Sequence, residues 1–220
     1  MAWRERYALN TRPFGEEPMP FLREVFEQPE QFALPAEQLR ILCPGDGYGR
    51  NSLWLAQRGH AVVGLDLVPA AVGRALTAAV QSDVNYVAIP ADISGLPFPL
   101  CRGTSFDAIV PAWIRLPEED ARRAWNAECM RCLRAGGVVV FIGGRRVTDA
   151  AAEQAQWPCS MRWKDFSTED EVRLVGHKSR RHRRAAPTRP GRCRSAQHGT
   201  VLPGAARGLG APGSPCSVAP

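Results

Sequence analysis

Residues 39–66, LRILCPGDGYGRNSLWLAQRGHAVVGLD, constrain the fold more than any other stretch of the chain. An apolar run climbs into three glycines spaced two apart, a helical stretch follows, and a second apolar run stops at an acid. LRILC has the unbroken apolar character of a buried strand. RNSLWLAQRG reads as a helix that closes onto Gly59, and AVVGLD as a second strand. The alternation then continues. PAAVGRALTAAV is a helix with Pro69 in its first turn, NYVAIPAD a third strand and FDAIVPA a fourth. LPEEDARRAWNAECMRCLRA is a helix ended by Gly136-Gly137, and GVVVFIGG is a fifth strand. Strands joined by helices through short loops predict an α/β, Rossmann-like, mostly parallel sheet with helices on both faces.

The glycine turn points to a ligand. Gly45, Gly47 and Gly49 permit positive φ and remove the Cβ atoms that would hold a ligand off the backbone. In a doubly wound sheet this turn lies where the crevice opens, at the carboxyl end of the first strand. Asp66, followed by Leu67, ends the second strand, where a carboxylate can accept hydrogen bonds from both hydroxyls of a ribose. Asp92-Ile93 closes the third strand. A dinucleotide fold wants G-x-G-x-x-G, whereas here the third glycine comes one residue early and Arg50 follows it. On the residues alone the turn can also be purely structural, and Asp92 can be an ordinary turn residue.

GDGYGRNSLWLAQRGHAVVGLDLVPAAVGRA resembles the nucleotide-binding half of a class I S-adenosylmethionine-dependent methyltransferase. More narrowly, the chain resembles the small-molecule branch related to tellurite-resistance and thiopurine methyltransferases. Gly45, Gly47, Gly49, Arg50-Asn51 and Arg58-Gly59-His60 carry that likeness, together with WRERYALNTRPFGEEPMPFL, SFDAIV and LRAGGVVVFIGG. It spans about residues 3–175. The resemblance implies S-adenosyl-L-methionine held by Gly45, Asp46, Gly47, Gly49, Asn51, Asp66, Leu67, Asp92 and Ile93, with Trp3 and Phe14 as a lid. It implies methyl transfer to a small nucleophile, with thiols, selenols and metalloid oxyanions favoured. Trp3, Tyr7 and Phe14 can equally be core aromatics; the lid reading gains from the attraction of a cation to an aromatic face. One departure concerns chemistry. Related chains show a Cys-His or similar polar pair just before Leu-Pro, and here Ile114-Arg115 stand there, so no catalytic base is assigned.

The net charge of +6 belongs to one end of the chain: residues 1–175 carry 19 Lys+Arg against 22 Asp+Glu, and residues 176–220 carry 9 Lys+Arg and no acid. That last segment has six prolines, seven glycines and no Phe, Tyr, Trp or Ile, a composition that cannot offset its ordering entropy and predicts disorder. MRWKDFSTEDEVRLV before it reads as an amphipathic helix capped by Ser167 or Thr168. On that reading the last two strands of a class I sheet are missing, GVVVFIGG is an exposed edge, and the tail is a shifted-frame replacement of a lost C-terminus. The expected organisation is therefore a helical cap over 1–35, a cofactor-binding domain over 36–175 and a disordered basic tail over 176–220. HKSRRHRR could meet phosphates, but no aromatics interleave it to stack on bases, so nucleic acid is disfavoured as a partner. Seven cysteines in no framework spacing suit a reducing cytoplasm, and Cys129-x-x-Cys132 reads as helix packing, with no metal site expected. No run reaches the eighteen or so apolar residues of a membrane span. The alternatives are a catalytically degenerate binding protein and a nicotinamide-dependent oxidoreductase, the latter without an evident Tyr-x-x-x-Lys pair.

Overall fold

The computed structural model describes residues 3–9, 12–94, 105–114, 116 and 118–180. Arg115 and the expected tail beyond residue 180 lie outside them. Two helices, α1 (Trp3–Leu9) and α2 (Pro20–Glu27), precede the sheet. Then come β1 (Arg40–Pro44), α3 (Arg50–Gln57), β2 (Ala61–Asp66), α4 (Pro69–Ser82), β3 (Tyr86–Pro90) and β4 (Phe106–Ile109). They are followed by α5 (Glu119–Cys132), β5 (Leu133–Gly144), α6 (Ala150–Ala155), β6 (Met161–Asp165) and β7 (Glu171–Lys178). The seven strands form one sheet in the order β3-β2-β1-β4-β5-β7-β6. The first five are parallel, and β7 runs antiparallel to both of its neighbours.

Period-two alternation sorts the strand residues into two layers. Ile41, Cys43, Ala108, Val110, Val138, Val140 and Ile142 face α2, α3 and α4. Leu42, Ile109 and Val139 face α5 on the other side. Phe106 breaks parity with Ala108 by joining the α5 layer, and a register shift between the two accounts for it. Cys129 and Cys132 are buried on the inner side of α5 within that same layer.

The two closing strands expected to be missing are present. They lie within MRWKDFSTEDEVRLVGHK, where the sequence pattern suggested a helix. Ser167 and Thr168 do accept backbone amides on their side chains, but within the loop of a hairpin: the Glu171 amide donates to Thr168 Oγ1 at 3.2 Å, and the Arg173 amide donates to Ser167 Oγ at 3.0 Å. A helix N-cap and a turn use the same local bonds, so the acids downstream do not distinguish them. Val172 and Leu174 then alternate against Val175 across the two faces of β7. Gly176 is required in this hairpin because the Trp163 ring lies over it, with Cζ3 2.5 Å from where a Cβ would stand. With β7 paired along β5 from Val138 to Gly144, β5 is an interior strand, and the shifted-frame account loses the observation that prompted it. Among the described residues, no helix is long and apolar enough to cross a membrane.

Candidate functional site

The carboxyl ends of β1, β2, β3 and β4 open onto a cleft of about 680 Å³. Its floor is the glycine turn. Gly45, Gly47 and Gly49 adopt φ of +65°, +62° and +82°, in the left-handed region that side chains other than glycine take at a cost. The turn is also packed from outside: a Cβ on Gly45 would meet Ile114 Cγ1 at 3.0 Å, and one on Gly49 would meet Ala75 Cβ at 3.0 Å. At Gly47 a Cβ would run into the Tyr7 hydroxyl.

Asp66 braces the turn from β2. Its Oδ2 accepts the Gly47 amide at 2.8 Å and its Oδ1 accepts the Val68 amide at 2.8 Å. Each carboxylate oxygen has a second lone pair, so one acceptor position per oxygen remains free of these two bonds. Burial raises the Asp66 carboxyl above its usual range, and the two backbone amides pull it back.

Nine of the eleven expected site residues line the cleft: Trp3, Phe14, Gly45, Asp46, Asn51, Asp66, Leu67, Asp92 and Ile93. Gly47 and Gly49 lie beneath it, buried. Two of the lining residues turn their polar atoms elsewhere. Asp46 sends its carboxylate under the turn, where Oδ1 accepts Ser52 Oγ–H and Oδ2 accepts the Tyr86 hydroxyl, each at 2.6 Å. Gly64 makes room for this network, since a Cβ there would lie 2.7 Å from the Tyr86 hydroxyl. Asn51 Oδ1 accepts the Met19 amide at 3.0 Å, which ties the N-terminal segment to α3. Asp92 is exposed, and its Oδ1 accepts both the amide and the hydroxyl of Ser94, which holds its carboxyl below the usual range.

The N-terminal segment covers the cleft through residues whose bonding the sequence does not announce. The Tyr48 hydroxyl accepts the Phe14 amide at 3.1 Å and donates to the Gly15 carbonyl at 2.7 Å. Arg50 Nη1 donates to the Phe14 carbonyl at 2.5 Å. Trp3, Tyr7, Phe14 and Tyr48 form a chain of ring contacts with centroids 6.1–6.2 Å apart. Tyr7 and Tyr48 are buried; burial first and then the Asp66 charge raise the Tyr7 phenol well above the usual value. Trp3 and Phe14 keep 40% and 38% of their surface exposed. At the far end of the cleft stand Trp113, Ile114 and Leu116 beyond β4, with Glu171 from β7. Glu171 could not be found from a segment read as helix.

Burial lifts the Asp46 carboxyl to about 6, against the pull of Ser52 and Tyr86. A raised acid pKa means that the folded state holds the proton more tightly than the unfolded chain. The contribution of this group to stability is therefore greatest below the ordinary carboxylate pKa and is lost as pH rises through about 6. Urea unfolding of wild type and Asp46→Asn at pH 4 to 7 should show wild type losing stability relative to the variant up to pH 6, then a plateau. A constant difference across that window would contradict this role.

A family model described as a methyltransferase domain matches residues 41–137, which run from β1 through the glycine turn and Asp66 into β5. No curated protein matches the chain. Solved structures share its fold. A TehB-like S-adenosylmethionine-dependent methyltransferase from Corynebacterium glutamicum is 23% identical, over 80% of this chain and 98% of that one, with a TM-score of 0.60. The N-methyltransferase NodS from Bradyrhizobium japonicum, solved with S-adenosyl-L-homocysteine, is 21% identical over 79% and 95%, with a TM-score of 0.60. The 16S rRNA N2 G1207 methyltransferase from T. thermophilus is 19% identical over 75% and 44%, with a TM-score of 0.58. The domain match sets aside the nicotinamide alternative. Residues 41–137 therefore match a methyltransferase domain, set in a fold that the chain shares with S-adenosylmethionine-dependent methyltransferases.

Proposed function

We propose that the chain methylates a small molecule at a soft nucleophile, a thiol or a selenol, as a member of the branch that includes tellurite-resistance and thiopurine methyltransferases. One observation carries the reading. Among the described residues that line the cleft there is no His, Cys or Lys, and a soft sulfur or selenium nucleophile reacts without one. A thiol with a pKa of about 8.5 provides a few per cent of thiolate near neutral pH and needs no base. Glu171 adds a carboxylate to the lining, which disfavours a permanently charged oxyanion more than a thiol that is mostly neutral near pH 7. The covering segment held by Tyr48, Arg50 and Asn51 favours a small acceptor over a folded RNA.

The cleft fits the cofactor. Its volume lies within the roughly 300–1,000 Å³ typical of such sites. Asp66 has an acceptor position left on each oxygen for a ribose diol, and Leu67 and Ile93 offer apolar contact to a base. Trp3 and Phe14 supply aromatic faces for a cation. S-adenosylmethionine supplies a methyl group already activated on a sulfonium. Held by the glycine turn and Asp66, it would pass that methyl group to the acceptor sulfur and leave as the neutral thioether, with the thiol proton lost to solvent. The chain's own contribution is alignment and exclusion of water.

Incubation with methyl-labelled cofactor and a panel of thiols, a selenol, selenite, tellurite, guanosine and RNA tests this. Label is expected in thioether or selenoether products. Label confined to guanosine or RNA would overturn the small-molecule reading.

A further inference from the structure

A second cleft, of about 860 Å³, lies between α3, α4 and residues 12–18. Tyr48 and Arg50 form the partition, since each lines both this cleft and the first. Methyl transfer gives the second cleft no part to play. Arg12, Arg50 and Arg74 line it, with Glu16 and Glu17 as its carboxylates.

These charges do not cancel in place. Arg12 pairs with Glu16, and Glu17 Oε2 lies 3.9 Å from Arg23 Nη1. Among the described residues Arg50 and Arg74 pair with no carboxylate, and each hydrogen-bonds to backbone carbonyls alone. Arg50 donates through Nη1 to the Phe14 carbonyl at 2.5 Å, and Arg74 Nη2 approaches the Tyr7 carbonyl at 3.5 Å. A guanidinium carries five N–H donors, so most of those on both side chains are left over. Solvent satisfies such donors on an exposed arginine. It does not serve Arg74 Nε, which is buried and has no acceptor among the described residues. A buried donor without an acceptor is costly, and an anion in this cleft supplies the acceptor.

We propose that the second cleft binds a small phosphomonoester, its phosphate held by Arg50 and Arg74. Guanidinium groups match phosphate oxygens in both charge and geometry. Gln57, Thr77 and Gln81 line the same cleft and are exposed, polar and uncharged, which suits the hydroxyls of a sugar. Occupancy reaches the first cleft through Arg50. With a phosphate on its remaining donors, Arg50 is fixed, and so is its bond to the Phe14 carbonyl. Phe14 lines the first cleft, so the ester acts there as an effector. It tightens the cofactor, and the cofactor tightens the ester by the same factor.

The test is calorimetry on the full chain at constant ionic strength. Glucose 6-phosphate should bind protein saturated with S-adenosylhomocysteine, which keeps the ester out of the first cleft, and glucose should not bind. Inorganic phosphate should bind more weakly than the ester. Thr77→Glu sets a like charge on an exposed helical residue that lines this cleft and not the first, and Arg74→Gln removes one guanidinium. Each should weaken the ester about tenfold or more, with melting temperatures showing both variants folded. In wild type the ester should tighten S-adenosylhomocysteine about fivefold, and Thr77→Glu should abolish that gain. A folded wild type that binds no ester, or both variants binding it as wild type does, overturns the site. Inorganic phosphate matching the ester overturns the sugar phosphate as its ligand. Unchanged affinity for S-adenosylhomocysteine overturns the effector role. If S-adenosylhomocysteine itself fails to bind, the cofactor reading falls, and titration of the ester into the free chain still decides the site.

Discussion

Asp66→Ala should lower the affinity for S-adenosylmethionine by about a hundredfold or more. Two effects act in the same direction. Hydrogen bonds to a charged group contribute about 1.5–3 kcal/mol each, and the carboxylate has one free acceptor position per oxygen for the two ribose hydroxyls. Loss of both amounts to at least two decades in Kd. The second effect is on the free protein. The amides of Gly47 and Val68 lose their acceptor, and a buried donor left without a partner costs about 1–3 kcal/mol. The turn should therefore loosen and the chain should unfold at lower urea. Asp66→Asn keeps one acceptor oxygen and should fall between wild type and alanine in both measurements. Wild-type affinity in Asp66→Ala would mean that the ribose lies elsewhere.

Gly47→Ala should be nearly as damaging, through sterics rather than lost bonds. The residue holds φ of +62°, where a Cβ costs about 1–2 kcal/mol. That Cβ would also press on the Tyr7 hydroxyl, with Cζ at 3.3 Å. Tyr7 is 6% exposed and packed against Tyr48, so it has little room to retreat. Overpacking of this kind costs typically about 1–3 kcal/mol. The expected sum lowers the melting temperature by several degrees, at about 2–4 °C per kcal/mol for a chain of this size. It also displaces α1, and with it Trp3, from over the cleft. A double-mutant cycle separates the parts: Gly47→Ala in a Tyr7→Phe background should recover the steric share and keep the backbone share. Strict additivity of the two changes would show that Tyr7 is not what Gly47 accommodates.

The half of the fold around the glycine turn is legible in the sequence because two independent signals agree there. Apolar periodicity gives β1, α3 and β2, and the glycines mark a turn that only positive φ can make. Asp66 follows from its place at the end of a strand. The chemistry of neighbouring residues is harder to read, because residue type does not give side-chain direction. Asp46 sits in the turn as a ligand-binding residue would, yet its carboxylate goes to Ser52 and Tyr86 because Gly64 leaves a space beneath β2. Asn51 opens α3 as expected and spends its oxygen on Met19. The closing hairpin is misread because Ser167, Thr168 and the acids after them satisfy the rule for a helix start as well as that for a turn. That error hides Glu171, whose place in the cleft depends on β7 pairing with a strand 27 residues earlier at Gly144. Trp113 is visible as a residue and invisible as a strained one, since its φ of +56° is imposed by Ile142 from across the sheet.

The central claim is that the cleft above the glycine turn holds S-adenosylmethionine. Calorimetric titration of wild-type protein with S-adenosylmethionine and S-adenosylhomocysteine, with NAD as control, tests it most directly. Micromolar binding of both sulfur nucleosides and none of NAD is the predicted result. A folded protein that binds neither nucleoside, or that binds NAD instead, would contradict it.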